Sequence, residues 1–163
     1  MKQQKGFTLI ELIIVIVVLG ILAVTAAPQF INFQSDAREA TVKGAQASIQ
    51  GAMQLAYAKA LIEGKENEPT ASIDTENGPV TIAYGYPTAN AAGITVAAGL
   101  ENDWTPIPGT AATDTPAEGS IAFAPSGATT DFAGGNSCHV LYVQATGNTS
   151  ATNASVSVST DGC

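Results

Sequence analysis

Few side chains of this sequence could carry out catalysis or bind a metal ion. His139 is the only histidine, and it lies beside Cys138 in a predicted strand. A single histidine provides neither a histidine-rich metal site nor a base paired with a nucleophile. Cys138 and Cys163 are the only cysteines, so at most one disulfide can form. We therefore predict no catalytic residue, no metal site and no cofactor, and we interpret His139 as a packed or surface side chain.

Two acidic segments, residues 74–77 and 101–103, could offer oxygen ligands to Ca²⁺. Neither has the ligand spacing of an EF-hand loop, so we interpret both as solvated turns.

The charges of the chain are unevenly distributed over its 163 residues. Six Lys and Arg against 14 Asp and Glu give a formal net charge of −8. All the basic residues precede Glu66, and no cation follows it. An acidic protein of this kind repels phosphate backbones, so we expect no nucleic-acid partner.

Glu11 is the only charged residue in a long apolar run. Residues 7–27 are apolar except for Thr8, Glu11, Gly20 and Thr25. About 20 helical residues, each rising 1.5 Å, cross a hydrocarbon core of ~30 Å. The run therefore predicts a membrane-spanning helix and not the buried helix of a soluble protein.

Two interpretations of the run leave some of its features unexplained. A secretory signal peptide would use Lys2 and Lys5 as its basic region and a small-residue cleavage site within residues 23–27. It explains neither a carboxylate in the apolar core nor Pro28 directly after the cut. A plain membrane anchor, oriented by the same lysines toward the cytoplasm, explains the run but not Glu11.

The sequence KGFTLIELIIV at residues 5–15 resembles the class III signal of type IV pilins and pseudopilins. The resemblance implies that residues 1–6 are a leader peptide, which a membrane aspartyl peptidase removes by cutting after Gly6. The same enzyme, the prepilin peptidase/N-methyltransferase, would then methylate the new amine of Phe7. The resemblance also implies that the Glu11 carboxylate faces the Phe7 amine of a neighbouring subunit and sets the axial register. The local alternative is a carboxylate favoured by the helix macrodipole in the first turn.

Gly20 and Pro28 predict weak points in the apolar helix, which we assign to residues 7–28. Pro28 lacks a backbone N–H and crowds the preceding turn, and Gly20 lowers helix propensity. The alternative is an ordinary kink at a membrane exit. The pilin resemblance implies that the helix upstream of this proline loses structure in the filament, which would let the filament stretch.

Residues 29–65 are predicted to continue as an amphipathic helix to about Ile62. Apolar residues recur at spacings of three and four and form one narrow stripe, suited to packing against a sheet. The stripe is too rich in small residues to favour a coiled coil. Gly64 and Pro69 predict where the helix ends. The stripe consists of Val42, Ala45, Ile49, Ala52, Met53, Ala56 and Ala60.

Residues 66–163 are predicted to form a β-sheet head. Short runs of β-branched and aromatic residues, separated by Gly and Pro, favour strands, and the last run alternates like an edge strand. Strands that follow one long helix indicate an antiparallel sheet packed on that helix. We therefore predict a pilin-like α+β fold. The predicted strands are residues 80–84, 94–97, 121–123, 139–143 and 155–158.

We expect Cys138 and Cys163 to be bridged, because the export signal places the head outside the cytoplasm, where disulfides form. The bridge would close a loop of about 25 residues and stabilise the head by roughly 3–4 kcal/mol. Two free thiols are the alternative. A C-terminal disulfide loop resembles the D-region of type IV pilins, which is linked there to subunit contacts and adhesion. Residues 20–30, residues 36–38 and the YGYP motif at residues 84–87 resemble the mannose-sensitive haemagglutinin type of pilin.

The resemblance implies a structural subunit, and not an enzyme, of a type IV pilus on a Gram-negative bacterium. The precursor would reside in the inner membrane, and identical subunits would join a helical filament at the pilus assembly platform. Such a filament would serve in attachment and biofilm formation. The alternatives are a minor pilin, a membrane-anchored binding module, or a pseudopilin of type II secretion. The major pseudopilin usually lacks a C-terminal disulfide and has a Ca²⁺-binding loop, which we do not find in this sequence.

Overall fold

The computed structural model describes residues 7–112 and 115–163, apart from the side chains of residues 27–32. The predicted leader, residues 1–6 with Gly6, lies outside the described residues. By its internal contacts the chain divides into two units, Met1–Ala37 and Arg38–Cys163.

One long helix, α1, covers Leu9–Glu63 and contributes to both units. In the first unit its side chains from Leu9 to Val24 are exposed. In the second unit it buries one face. Antiparallel strands follow it, so the predicted fold class, a long N-terminal helix followed by an antiparallel sheet region, is confirmed.

The buried face of α1 is the apolar stripe predicted from the sequence. Val42, Ile49 and Ala60 are fully excluded from solvent. The other members are buried alanines, except Met53, which is half-buried and packs against the same core. The stripe therefore faces the strands of the head with small side chains along most of its length.

The helix ends where Gly64 takes the left-handed conformation, with φ +68°. The Lys65 N–H donates to the Ala60 carbonyl at 2.8 Å and the Gly64 N–H to the Leu61 carbonyl at 3.2 Å. This pair of bonds is a Schellman motif, which satisfies carbonyls that the last turn leaves unpaired. Lys65 Nζ then donates to the Glu63 carboxylate at 2.8 Å and to the Ser72 carbonyl at 2.7 Å, fastening the first strand to the helix end.

The strands form three antiparallel sheets within the described residues. A three-stranded sheet has the order β1-β2-β3, a four-stranded sheet has the order β4-β5-β8-β9, and β6 pairs with β7. In chain order the strands are β1 Ala71–Thr75, β2 Gly78–Ala83, β3 Tyr86–Pro87, β4 Trp104–Pro108, β5 Ser120–Pro125, β6 Thr130–Asp131, β7 Asn136–Ser137, β8 His139–Val143 and β9 Ser155–Ser159.

The two larger sheets bury two apolar clusters against α1. The smaller cluster joins Ala56 and Ala60 to the three-stranded sheet, and the larger joins the earlier part of the stripe to the four-stranded sheet. The two sheets are tied by Tyr142, whose buried hydroxyl donates to the Pro87 carbonyl at 2.6 Å. Burial raises the pKa of Tyr142, so it stays a neutral donor. The larger cluster is Val42, Ala45, Ile49, Ala52, Ile94, Leu100, Ile121, Phe123, Cys138, Val140 and Tyr142.

One predicted strand is wrong. Residues 94–97 lie in a short helical segment, Ala91–Thr95 followed by Val96–Ala98. The β-branched residues favour a strand locally, but a helical turn places Ile94 in the core, fully buried. Gly93 permits this turn because a Cβ there would lie 2.1 Å from the Thr88 carbonyl oxygen.

Candidate assembly segment and disulfide loop

The start of α1 is capped by Thr8 and Glu11 together. The Glu11 carboxylate oxygen Oε2 accepts from the Thr8 N–H at 2.8 Å and from the Thr8 hydroxyl at 2.7 Å. The Glu11 N–H donates in return to Thr8 Oγ1 at 3.3 Å. This reciprocal arrangement is a capping box, in which two otherwise unpaired helical N–H groups are satisfied.

The capping box was not expected, although the sequence contains its signal. A Ser or Thr followed three residues later by Glu, before an apolar run, is typical of a helix N-terminus. The sequence alone predicts for Glu11 a macrodipole interaction or a partner in another subunit. The structure adds a local partner, Thr8, within the same chain.

The part of α1 that belongs to the first unit exposes apolar side chains on all sides. The large side chains are exposed along this part of the helix, from 90% at Phe7 to 49% at Val18. The stretch Leu9–Ala26 has a mean hydropathy of 3.0 and is long and apolar enough to cross a membrane by length and composition. A surface of this kind must be covered by lipid or by another protein.

Helix α1 includes both Gly20 and Pro28 within its bounds. Thr25 Oγ1 donates to the Leu22 carbonyl at 3.0 Å, a side-chain bond that competes with the helical ladder. Pro28 has no N–H to donate to the Val24 carbonyl. The disruption predicted at these positions stays a prediction.

The C-terminal loop is closed by the disulfide between Cys138 and Cys163, as expected. Their Cα atoms lie 4.8 Å apart across a sequence separation of 25 residues. The Ser137 carbonyl accepts from the Ser159 hydroxyl at 2.9 Å and from the Gly162 N–H at 3.4 Å. The bridge and these bonds fix residues 159–163 to Ser137 and Cys138, at the point where β7 leads into β8.

His139 is packed, which confirms one of its two predicted placements. Its Nδ1 lies 2.9 Å from the Ser137 hydroxyl, and its ring centroid lies 4.7 Å from that of Phe132. Burial lowers the pKa of His139, which keeps the ring neutral near pH 7. No group of three His, Cys, Asp or Glu that could hold a metal ion occurs in residues 7–112 and 115–163.

Comparison with known proteins matches the N-terminal segment to a family. The protein family described as the prokaryotic N-terminal methylation motif matches residues 1–27, which include Gly6, Phe7 and Glu11. The major component PilA5 of the type IV narrow pilus of Thermus thermophilus is 45% identical over 63 residues, which are 39% of this chain and 51% of the relative. A fimbrial protein of Pseudomonas aeruginosa is 46% identical over 66 residues, 40% of each chain. The N-terminal segment of the chain is therefore similar to that of type IV pilins.

The similarity to these pilins is partial, since the chain spans about half or less of the length of the curated relatives it matches. The type II secretion system core protein G of Pseudomonas aeruginosa is also similar, with 41% identity over 54 residues, 33% of this chain and 38% of that protein. No solved structure matches the chain.

Proposed function

We propose that this chain is the major structural subunit of a type IV pilus of the mannose-sensitive haemagglutinin kind, which serves in attachment and biofilm formation. The observation that carries the proposal is the Leu9–Ala26 helix, which lies within the segment matched by the methylation motif and is exposed on all sides. In the precursor this helix is covered by the inner membrane. In the filament it is covered by the equivalent helices of identical subunits, which join at the assembly platform on a Gram-negative cell.

Processing creates the end of the helix that assembles. The prepilin peptidase/N-methyltransferase cuts after Gly6 and methylates Phe7, which is 90% exposed and directly precedes the capping residue Thr8. The cut leaves the capping box intact, because Thr8 and Glu11 both lie on the mature side. The new amine is therefore carried by an already formed helix.

Glu11 pairs with the methylated Phe7 amine of a neighbouring subunit and sets the axial register. Both Thr8 bonds end on Oε2, and among the described residues Oε1 has no hydrogen-bond donor, so it can accept from the amine. A carboxylate among apolar helices is costly when alone and tolerated when paired, so a misregistered subunit is disfavoured. Gly20 and Pro28 supply the segment that loosens when the filament is stretched.

Mass spectrometry of fibres sheared from the cell surface tests the proposal. We expect abundant chains that begin at N-methyl-Phe7 and contain the Cys138–Cys163 bridge. A mature product that is found in the inner membrane and never in the sheared fraction would contradict a pilus subunit. A product present at trace level in fibres made of another protein would indicate a minor pilin.

Substitution of Glu11 tests the register. We expect Glu11→Ala and the isosteric Glu11→Gln to be cut after Gly6 normally but to yield far fewer filaments, because neither retains the charge. Wild-type filament yield from both variants would remove Glu11 from the assembly mechanism.

A pseudopilin of type II secretion is the second candidate, favoured by the similarity to core protein G. Deletion of the gene distinguishes the two. Loss of surface fibres with normal protein secretion supports the pilus subunit, and loss of secretion with intact fibres supports the pseudopilin.

A further inference from the structure

The four-stranded sheet has two edges of very different chemistry. One edge is β4, which contains Pro106 and Pro108. Proline has no N–H to donate, so a strand that approaches β4 cannot form a regular hydrogen-bond ladder with it. The other edge is β9, with the sequence Ser-Val-Ser-Val-Ser at Ser155–Ser159. It contains no proline and no charged residue, although both are common in exposed edge strands, where they disfavour pairing with another strand.

The outer side of β9 is open. Its backbone pairs with β8 from Val143↔Ser155 to His139↔Ser159, and no other backbone partner of β9 occurs in the part of the chain that the structure describes. A groove of about 490 Å³ lies between its first half and α1, lined in part by Gln50, Met53 and Gln54. The edge therefore has both unpaired backbone groups and space beside it.

The alternation of β9 is matched to the two faces of the sheet. Val156 and Val158 are half-buried and pack against the core, whereas Ser155 and Ser157 are exposed on the outer face. A strand added at this edge must show the same alternation to continue both faces. The sequence of β9 satisfies that requirement itself.

We propose that the free edge of β9 pairs in antiparallel fashion with β9 of a second copy of this chain. The segment is a palindrome, so a two-fold axis through Ser157 places Ser157 opposite itself, Val156 opposite Val158 and Ser155 opposite Ser159. Every cross-strand pair then consists of two identical residue types. Valine pairs with valine on the core face, and serine pairs with serine largely on the outer face. The contact is isologous, as a two-fold interface requires.

The flanking charges are compatible with this register. Asp161, the acidic residue nearest to β9, lies opposite Asn153 of the other copy, so no carboxylate faces a carboxylate. Self-pairing is favoured over an unrelated peptide because β9 offers no charge or large side chain by which to select another sequence.

A two-fold contact closes on itself and cannot by itself propagate a fibre. Pairing through β9 therefore joins the heads of two separate assemblies, and its effect on filaments is lateral association. The inference goes beyond the proposed function and stands on the head alone, although filament bundling is its consequence only if the chain forms filaments.

Cysteine cross-linking of the full chain tests the register. Ser157→Cys places two thiols directly opposite each other, with Cα atoms about 4.5–5.5 Å apart, within disulfide range. Ser155→Cys is the matched control on the same strand and face, because its two copies lie about 13 Å apart in this register. After mild oxidation in detergent micelles, we expect a reducible dimer of Ser157→Cys and none of Ser155→Cys. Equal dimer from both variants, or none from Ser157→Cys, would overturn the proposal.

A charge substitution tests the consequence in fibres. Ser157→Lys places two lysines opposite each other at the two-fold axis, whereas Thr105→Lys adds the same charge to exposed β4. We expect electron micrographs of sheared fibres to show bundles for Thr105→Lys and single filaments for Ser157→Lys, at equal filament yield. Bundling of Ser157→Lys at the wild-type level would overturn the lateral role. If no fibres form at all, the proposed function fails, while the cross-linking result in micelles still decides the pairing.

Discussion

The two parts of helix α1 differ in what covers their apolar side chains. Along Leu9–Ala26 apolar residues occur on every side and all are exposed within the chain. Along residues 38–63 one stripe of apolar residues is buried under the strands of the head, whereas Leu55, Leu61 and Ile62 lie off that stripe and are exposed. The same secondary structure therefore serves two purposes. The second part is stabilised by its own chain, and the first requires cover from outside it.

The largest expected effect comes from truncating one isoleucine in each part. Ile49 is fully buried in the larger cluster, so Ile49→Ala should lower the free energy of unfolding by about 2–5 kcal/mol, through lost burial and the cavity left behind. Ile16 is exposed within the chain, so Ile16→Ala should change that free energy by less than about 0.5 kcal/mol. The measurement is denaturant unfolding of the full chain in detergent micelles, followed by near-UV circular dichroism.

The contrast would be lost if both substitutions destabilised the head equally. That result would mean that the first part of α1 packs on the head in solution. A loss of filaments in Ile16→Ala with a stable head would instead support cover by neighbouring subunits.

Removing the disulfide affects the second unit alone. The double variant Cys138→Ser, Cys163→Ser should lower the free energy of unfolding by roughly 3–4 kcal/mol, because the unfolded chain gains the freedom of a loop of 25 residues. Reduction of the wild-type chain with dithiothreitol should give the same loss. The far-UV signal of α1 should be retained in micelles, and its collapse would show that the two units unfold together.

Much of the head could be predicted because its residues carry local patterns that the tertiary structure also uses. The stripe from Val42 to Ala60 has helical spacing, and the predicted strand at residues 139–143 coincides with β8. Gly64 was predicted to end the helix, and its left-handed conformation does so. The only two cysteines left one possible pairing, which the structure confirms.

The remaining elements depend on contacts that a local pattern does not contain. Strand β4 was missed because Pro106 and Pro108 argue against a strand, and only its place at a sheet edge makes them tolerable. Residues 94–97 have the composition of a strand, but burial of Ile94 outweighs that preference. The Thr8–Glu11 capping box is different, because its signal, a Thr three residues before a Glu, is present in the local sequence.

Replacing glycine by alanine at two positions of the second unit should change the free energy of unfolding by smaller amounts and in opposite directions. Gly64→Ala should lower the free energy of unfolding by about 1–2 kcal/mol, because φ +68° is unfavourable for a residue with a Cβ. Gly51→Ala should raise it by about 0.5–1 kcal/mol, because Gly51 is in mid-helix and a Cβ there meets nothing within 4 Å.

Both variants can be compared by thermal unfolding in micelles against the same wild-type sample. If Gly51→Ala stabilises the head but reduces filament yield, the open space beside Gly51 is used by a neighbouring subunit, and the second part of α1 also takes part in assembly. If it stabilises the head and leaves the filaments unchanged, that face of α1 is not an assembly contact.

The smallest effect is a pH dependence that belongs to the head alone. Burial lowers the pKa of His139 below its ordinary value of 6.5, so the unfolded chain binds a proton more readily than the folded one. Well above pH 6.5 the ring is neutral in both states and contributes no pH dependence. As the pH falls below 6.5, the unfolded state gains the proton first and the free energy of unfolding decreases until the folded-state pKa is passed. Measured between pH 7.5 and 5.5, above the range in which ordinary carboxyl groups titrate, this decrease should disappear in His139→Gln. A decrease of the same size in His139→Gln would assign the pH dependence to other groups, and His139 would then be a packing residue without a titration effect.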